Sequence, residues 1–141
     1  MYSGFAPGGW AGDTHLPYIP WEAEVFFDGK PEERALYGAF AAWLAGLVPP
    51  CRMQVHKTQI SFYLKTGFCF VSMPYSRRKG WPKHCLVVSL GLKRDLDSPR
   101  LIAKAHPTLK RWTCHTLLWE ESQLDEELAG WVQEAAREAE G

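Results

Sequence analysis

Two short stretches carry groups that could recognise an anion. In Lys110–Trp119, KRWTCHTLLW, alternate residues run Arg111, Thr113, His115, Leu117 and Trp119. In Lys57–Lys65, KTQISFYLK, the residues Lys57, Gln59, Ser61 and Tyr63 alternate with Ile60, Phe62 and Leu64. A strand turns successive side chains to opposite faces, so each stretch sorts into a polar and a more apolar side. If helices cover the apolar sides, Lys57, Arg111 and His115 meet on the open side, with Gln59, Tyr63 and Thr113 around them. Two fixed cations and a titratable imidazole suit a carboxylate or phosphate. Trp112 or Trp119 would then wall the ligand. The plain alternative is a solvated sheet face, which antiparallel sheets often show.

Other chemistry finds less support. His84-Cys85 and Cys114-His115 are adjacent pairs, and a strand splits each pair across its two faces. No CxxC and no HExxH occurs, so no metal-ligand set and no cofactor is expected. No GxSxG, GxxxxGK[ST] or GxGxxG is present, and no carboxylate can be matched to His115. No catalytic residue is assigned, and a general-base role for His115 ranks last. The loop SRRKGWPK sets Arg77, Arg78, Lys79 and Lys83 around Trp81, a composition able to hold single-stranded nucleic acid by phosphate contact and stacking. A charged hairpin loop is the commoner meaning of such a stretch.

The whole composition bounds these options. The chain has 141 residues, suited to one domain, and its seven Trp, seven Phe and five Tyr can fill a good core. Sixteen basic and sixteen acidic residues cancel, which argues against a strongly electrostatic nucleic-acid binder. No apolar run reaches the roughly 18 residues a membrane span needs. MYSGFAPGGWAGD has neither the basic nor the apolar region of a secretory signal. With scattered cysteines at 51, 69, 85 and 114, free thiols in a reducing cytosol are expected. Oligomeric state is not readable.

The elements that must position these residues follow from periodicity. Residues 1–20, rich in Gly, Pro and aromatics, read as an extended arm over the body, and residues 21–141 as a single domain. WEAEVFF suggests a short helix after Pro20. Leu36, Tyr37, Phe40, Trp43, Leu44 and Leu47 recur at helical steps between Pro31 and Pro49-Pro50. Strands follow over 57–65, 67–75, 84–92, 101–105 and 110–119. HCLVVSLGL is apolar on both sides and so central. Ser122, with Asp125 three residues on, is expected to cap a closing helix striped by Leu124, Leu128, Trp131, Val132, Ala135 and Ala139. The class is α+β: an antiparallel sheet of about five strands packed by two main helices.

From Tyr37 to Ala139 the chain resembles a bacterial family known as domain of unknown function 5655. The resemblance is carried by HKTQISF (56–62), GFCFV (67–71), LVVSLGLKRDLDSPR (86–100), RWTCH (111–115) and LDEELAGWVQEAAREA (124–139). Cys114 stands where the family pattern has the first of two paired histidines, against a two-His metal site. The resemblance matches Lys57, Arg111 and His115 to family motif positions and implies no known reaction. The layout is also similar, more distantly, to MmcQ-like double-wing proteins, some of which are suspected of binding DNA. The resulting expectation is a cytosolic, non-catalytic binding domain for a small anionic ligand. A protein-interaction or nucleic-acid accessory module built on the loop at 76–83 ranks second.

Overall fold

The computed structural model describes residues 21–140, so the expected arm over 1–20 lies outside the described residues. Two helices come first, α1 (Trp21–Phe26) and α2 (Pro31–Ala45). Pro31 opens α2, where its missing N–H costs nothing, and Pro49-Pro50 bars continuation beyond the turn after it. Six strands follow: β1 (Arg52–Val55), β2 (Ile60–Tyr63), β3 (Gly67–Ser72), β4 (Leu86–Leu92), β5 (Leu101–Thr108) and β6 (Arg111–Leu118). A 3-10 turn (Glu121–Gln123) leads into the closing helix α3 (Glu126–Glu140).

The sheet is a single antiparallel one in the order β1-β2-β3-β4-β6-β5. β4 lies inside it, as its unbroken apolar run requires, bonded to β3 on one side and β6 on the other. The β5–β6 hairpin docks through β6 and leaves β5 at the edge. That placement tolerates Pro107 inside β5, because an edge strand can spare an N–H. The sheet therefore has one strand more than expected, the short β1, and β5 runs three residues further than expected.

Register assigns the faces. Met53, Phe62, Cys69, Leu90 and Cys114 stand side by side across five strands, and all are buried. The helices cover this face. Tyr37 of α2 donates its hydroxyl hydrogen to Met53 Sδ at 3.2 Å, and Phe40 meets Phe62 edge-on at 6.2 Å. From α3, Leu128, Val132, Ala135 and Ala136 join the same core, with α3 lying along β3 and β4. Each large side chain fully buried here contributes about 1.5–3 kcal/mol of transfer free energy.

The start of α3 corrects the expected cap. Ser122 sits in the 3-10 turn, where its hydroxyl donates to Glu120 Oε2 at 2.8 Å. Asp125 caps the helix instead: its Oδ1 accepts the Leu128 N–H at 3.0 Å. At the other end of α3, the Ala139 carbonyl accepts N–H bonds from Lys65 at 3.0 Å and Thr66 at 3.3 Å. Those two residues turn the chain from β2 into β3.

Candidate functional site

The face turned away from the helices carries the polar set. Pairing puts Ser61, Phe70, Ser89 and His115 in one row, and Gly91 beside Thr113 in the next. Arg111 extends from the start of β6 across β4. A Cβ built on Gly91 would collide with its Nη2 and lie 2.8 Å from its Cζ, so the guanidinium occupies the space a side chain at 91 would fill. It continues to β3, where Nη2 donates to the Gly67 carbonyl at 2.8 Å. Gly67 is also constrained, since a Cβ there would press on the Phe70 and Tyr63 rings at 3.1–3.2 Å. Phe70 and Tyr63 thus flank the place where the guanidinium ends.

Two strand residues away from Gly91, about 7 Å along β4, the Ser89 hydroxyl and His115 Nδ1 share a hydrogen bond of 2.7 Å. Half-burial holds the His115 imidazole below its ordinary pKa, so it is neutral at pH 7. His115 therefore adds no charge here, and the guanidinium of Arg111 supplies the positive charge over Gly91. Arg34, Arg94 and Arg100 each pair with carboxylates. Arg111 is partly buried, and among the described residues its bond partner is the Gly67 carbonyl and no carboxylate pairs with it. Arg111 borders a cleft of about 290 Å³ between the strand ends and the last turns of α3. Lys93 and Lys110 line the same cleft, opposed by one acid, Glu138, whose Oε1 already accepts the Lys93 N–H at 2.9 Å.

The family model described as "Domain of unknown function (DUF5655)" matches residues 23–137. The chain belongs to the DUF5655 family. No curated protein and no solved structure matches it. A relation to MmcQ-like proteins is not shown.

In this DUF5655 domain the expected site residues divide. Arg111, Thr113 and His115 share the open face, and Tyr63 lies on it near Gly67. Gln59 precedes β2, yet its side chain reaches this face by donating from Nε2 to Ser61 Oγ at 3.1 Å. Lys57 does not join them. It is exposed in the β1–β2 turn, closed by His56 N–H to the Gln59 carbonyl at 2.8 Å, at the opposite end of the strands from Arg111. Strand alternation stops at Ile60, so Lys57 has no face. The second guanidinium on this side is Arg52 of β1, paired with Tyr63 and 4.9 Å above its ring. The walls differ as well. Trp112 points to the helix side and stacks on His106 at 3.7 Å, while Trp119 lines a separate cleft with Arg100, Ile102 and Leu117.

The basic loop spends part of its charge on its own structure. Arg77 donates to the Pro82 carbonyl at 2.6 Å and approaches the Cys85 thiol at 3.8 Å. Arg78 donates to the Ile102 carbonyl at 3.3 Å and lies 5.6 Å over the Trp81 ring. Lys79 and Lys83 are exposed. Ser89, Gly91 and Arg52 are the site residues that alternation did not single out. Gly91 carried a signal, because a glycine inside a strand often marks the close approach of another group.

Proposed function

We propose that this DUF5655 domain binds a small anion, a carboxylate or a phosphate, at Arg111, without carrying out chemistry on it. One observation carries the reading: a partly buried guanidinium, aimed by the Gly67 carbonyl and given room by Gly91, has no carboxylate partner among the described residues. Desolvating such a cation is costly unless a counter-charge arrives, and a planar guanidinium matches carboxylate and phosphate oxygens. The cleft volume of about 290 Å³ suits a small ligand. Neutral His115, with Ser89 as its bonded partner, supplies orientation rather than charge. Four buried cysteines, none in a disulfide, support a reducing compartment as its place of action.

The test titrates inorganic phosphate and short-chain mono- and dicarboxylates into the protein by calorimetry, with Arg111→Gln alongside. Native protein should bind at least one of them, and Arg111→Gln, folded by circular dichroism, should lose about tenfold or more in affinity. Equal binding by the variant, or no binding by either at millimolar ligand, rejects the reading.

A further inference from the structure

A second cluster lies on the helix side of the sheet. Glu32 and Glu33 stand in the first turn of α2, and His84 immediately precedes Cys85 and β4. The His84 Nδ1 lies 3.2 Å from Glu33 Oε2 and 3.9 Å from Glu32 Oε1, and the three ligand atoms all fall within 4.8 Å of one another. We infer that Glu32, Glu33 and His84 form a binding site for a divalent first-row transition ion, zinc above all.

Three features favour an ion over a simple hydrogen bond. First, Glu33 is a buried carboxylate with 7% of its side chain exposed. Among the described residues its hydrogen-bond partner is His84 Nδ1, through Oε2, and none bonds Oε1. A buried carboxylate held by a single bond is expensive, and a cation would offset that cost. Second, no Lys or Arg among the described residues pairs with Glu32 or Glu33. One Nδ1 proton can answer only one of the two acids, whereas a dication between them balances both. The helix N-terminus opposes a cation with about half a charge, less than the two carboxylates bring. Third, the spacing is right. Ligands about 2.0–2.1 Å from a tetrahedral zinc lie about 3.3 Å apart. The His84–Glu33 separation of 3.2 Å already meets this, and Glu32, with 56% of its side chain exposed, is free to swing in.

One imidazole and two carboxylates suit zinc, cobalt or manganese better than calcium, which prefers more oxygens. His84, with 39% of its side chain exposed, leaves the site open for a water as fourth ligand. The ion would pin the start of α2 to the lead-in of β4, so it would be read as stability.

The experiment uses full-length protein stripped with chelator, melted with zinc chloride and with magnesium chloride. Zinc about a hundredfold above its dissociation constant should raise the native melting temperature by roughly 8 °C, and magnesium by little. His84→Ala and Glu32→Gln, both at partly exposed positions, should fold and lose most of the rise. Cobalt should give the weak bands of nitrogen and oxygen ligation without the intense charge-transfer band of a thiolate. No zinc response in the native protein, a full response in both variants, or a thiolate band pointing to the cysteines would each overturn the assignment.

Discussion

Arg111 crosses β4 only because residue 91 ends at its Cα, so the aim of the guanidinium depends on a residue that carries no charge. Gly91→Ala tests this directly. The added methyl meets the flexible far end of Arg111, not backbone, so stability should change by no more than about 1 kcal/mol. Anion affinity should nevertheless fall by about tenfold, because the guanidinium is pushed off the Gly67 carbonyl. Unchanged affinity in a folded Gly91→Ala protein would show that this placement does not matter. His115 makes a second prediction. Its folded pKa lies below the unfolded value, so the unfolded chain takes up the proton first as pH falls. The stability it contributes is present above about pH 6.5 and is lost as pH drops through the folded pKa. Melting between about pH 7.5 and about pH 5 should therefore fall less steeply in His115→Gln than in the native chain. Parallel curves would remove His115 as the cause.

Elements were legible where a regular period met a buried surface. The helix at 31–45 and the face assignment of Arg111, Thr113 and His115 follow from spacing, because one side of each is packed, whereas the central β4 follows from its unbroken apolar run and the helix at 21–26 from its place after Pro20. β1 was missed although Met53 and Val55 alternate, since four residues after Pro50 are too few for a pattern to stand out. Lys57 was misplaced because nothing in HKTQ marks a turn: no glycine or proline interrupts the alternation. Pairings distant in sequence, such as Glu33 with His84 or Arg100 with α3, leave no periodic trace. Arg100 shows what such a contact does. Its guanidinium meets Asp125 and Glu127 at 2.9 Å, donates to the Gln123 carbonyl at 3.0 Å and lies 5.6 Å over Trp131. It thereby joins the lead-in of β5 to the start of α3. Arg100→Ala should cost about 2 kcal/mol in denaturant unfolding, clearly more than Lys104→Ala, which breaks only a surface pair with Asp95. Equal costs would mean that the Arg100 network is ornamental.

At the scale of the molecule, one helical layer covers one side of the sheet, and the four cysteines lie buried outside any disulfide. Burial pushes the Cys51 thiol up to about 12 and raises Cys69 further, while Cys85 and Cys114 also move upward. Thiolate is the reactive form, so the native protein should resist a disulfide reagent at about pH 8, and all four thiols should react once it is unfolded. Rapid labelling of any cysteine in the native state would contradict this burial. Among the described residues no helix is long and apolar enough to cross a membrane.

The Ala139 carbonyl that holds Lys65 and Thr66 has a reach beyond its own helix. Those two amides deliver the backbone straight into Gly67, whose oxygen steers Arg111. The last turn of α3 is in this way tied to the carbonyl that aims Arg111. Removing or crowding the last turn of α3 should therefore change the anion affinity proposed for Arg111 even where Arg111, Gly67 and Gly91 are left unchanged.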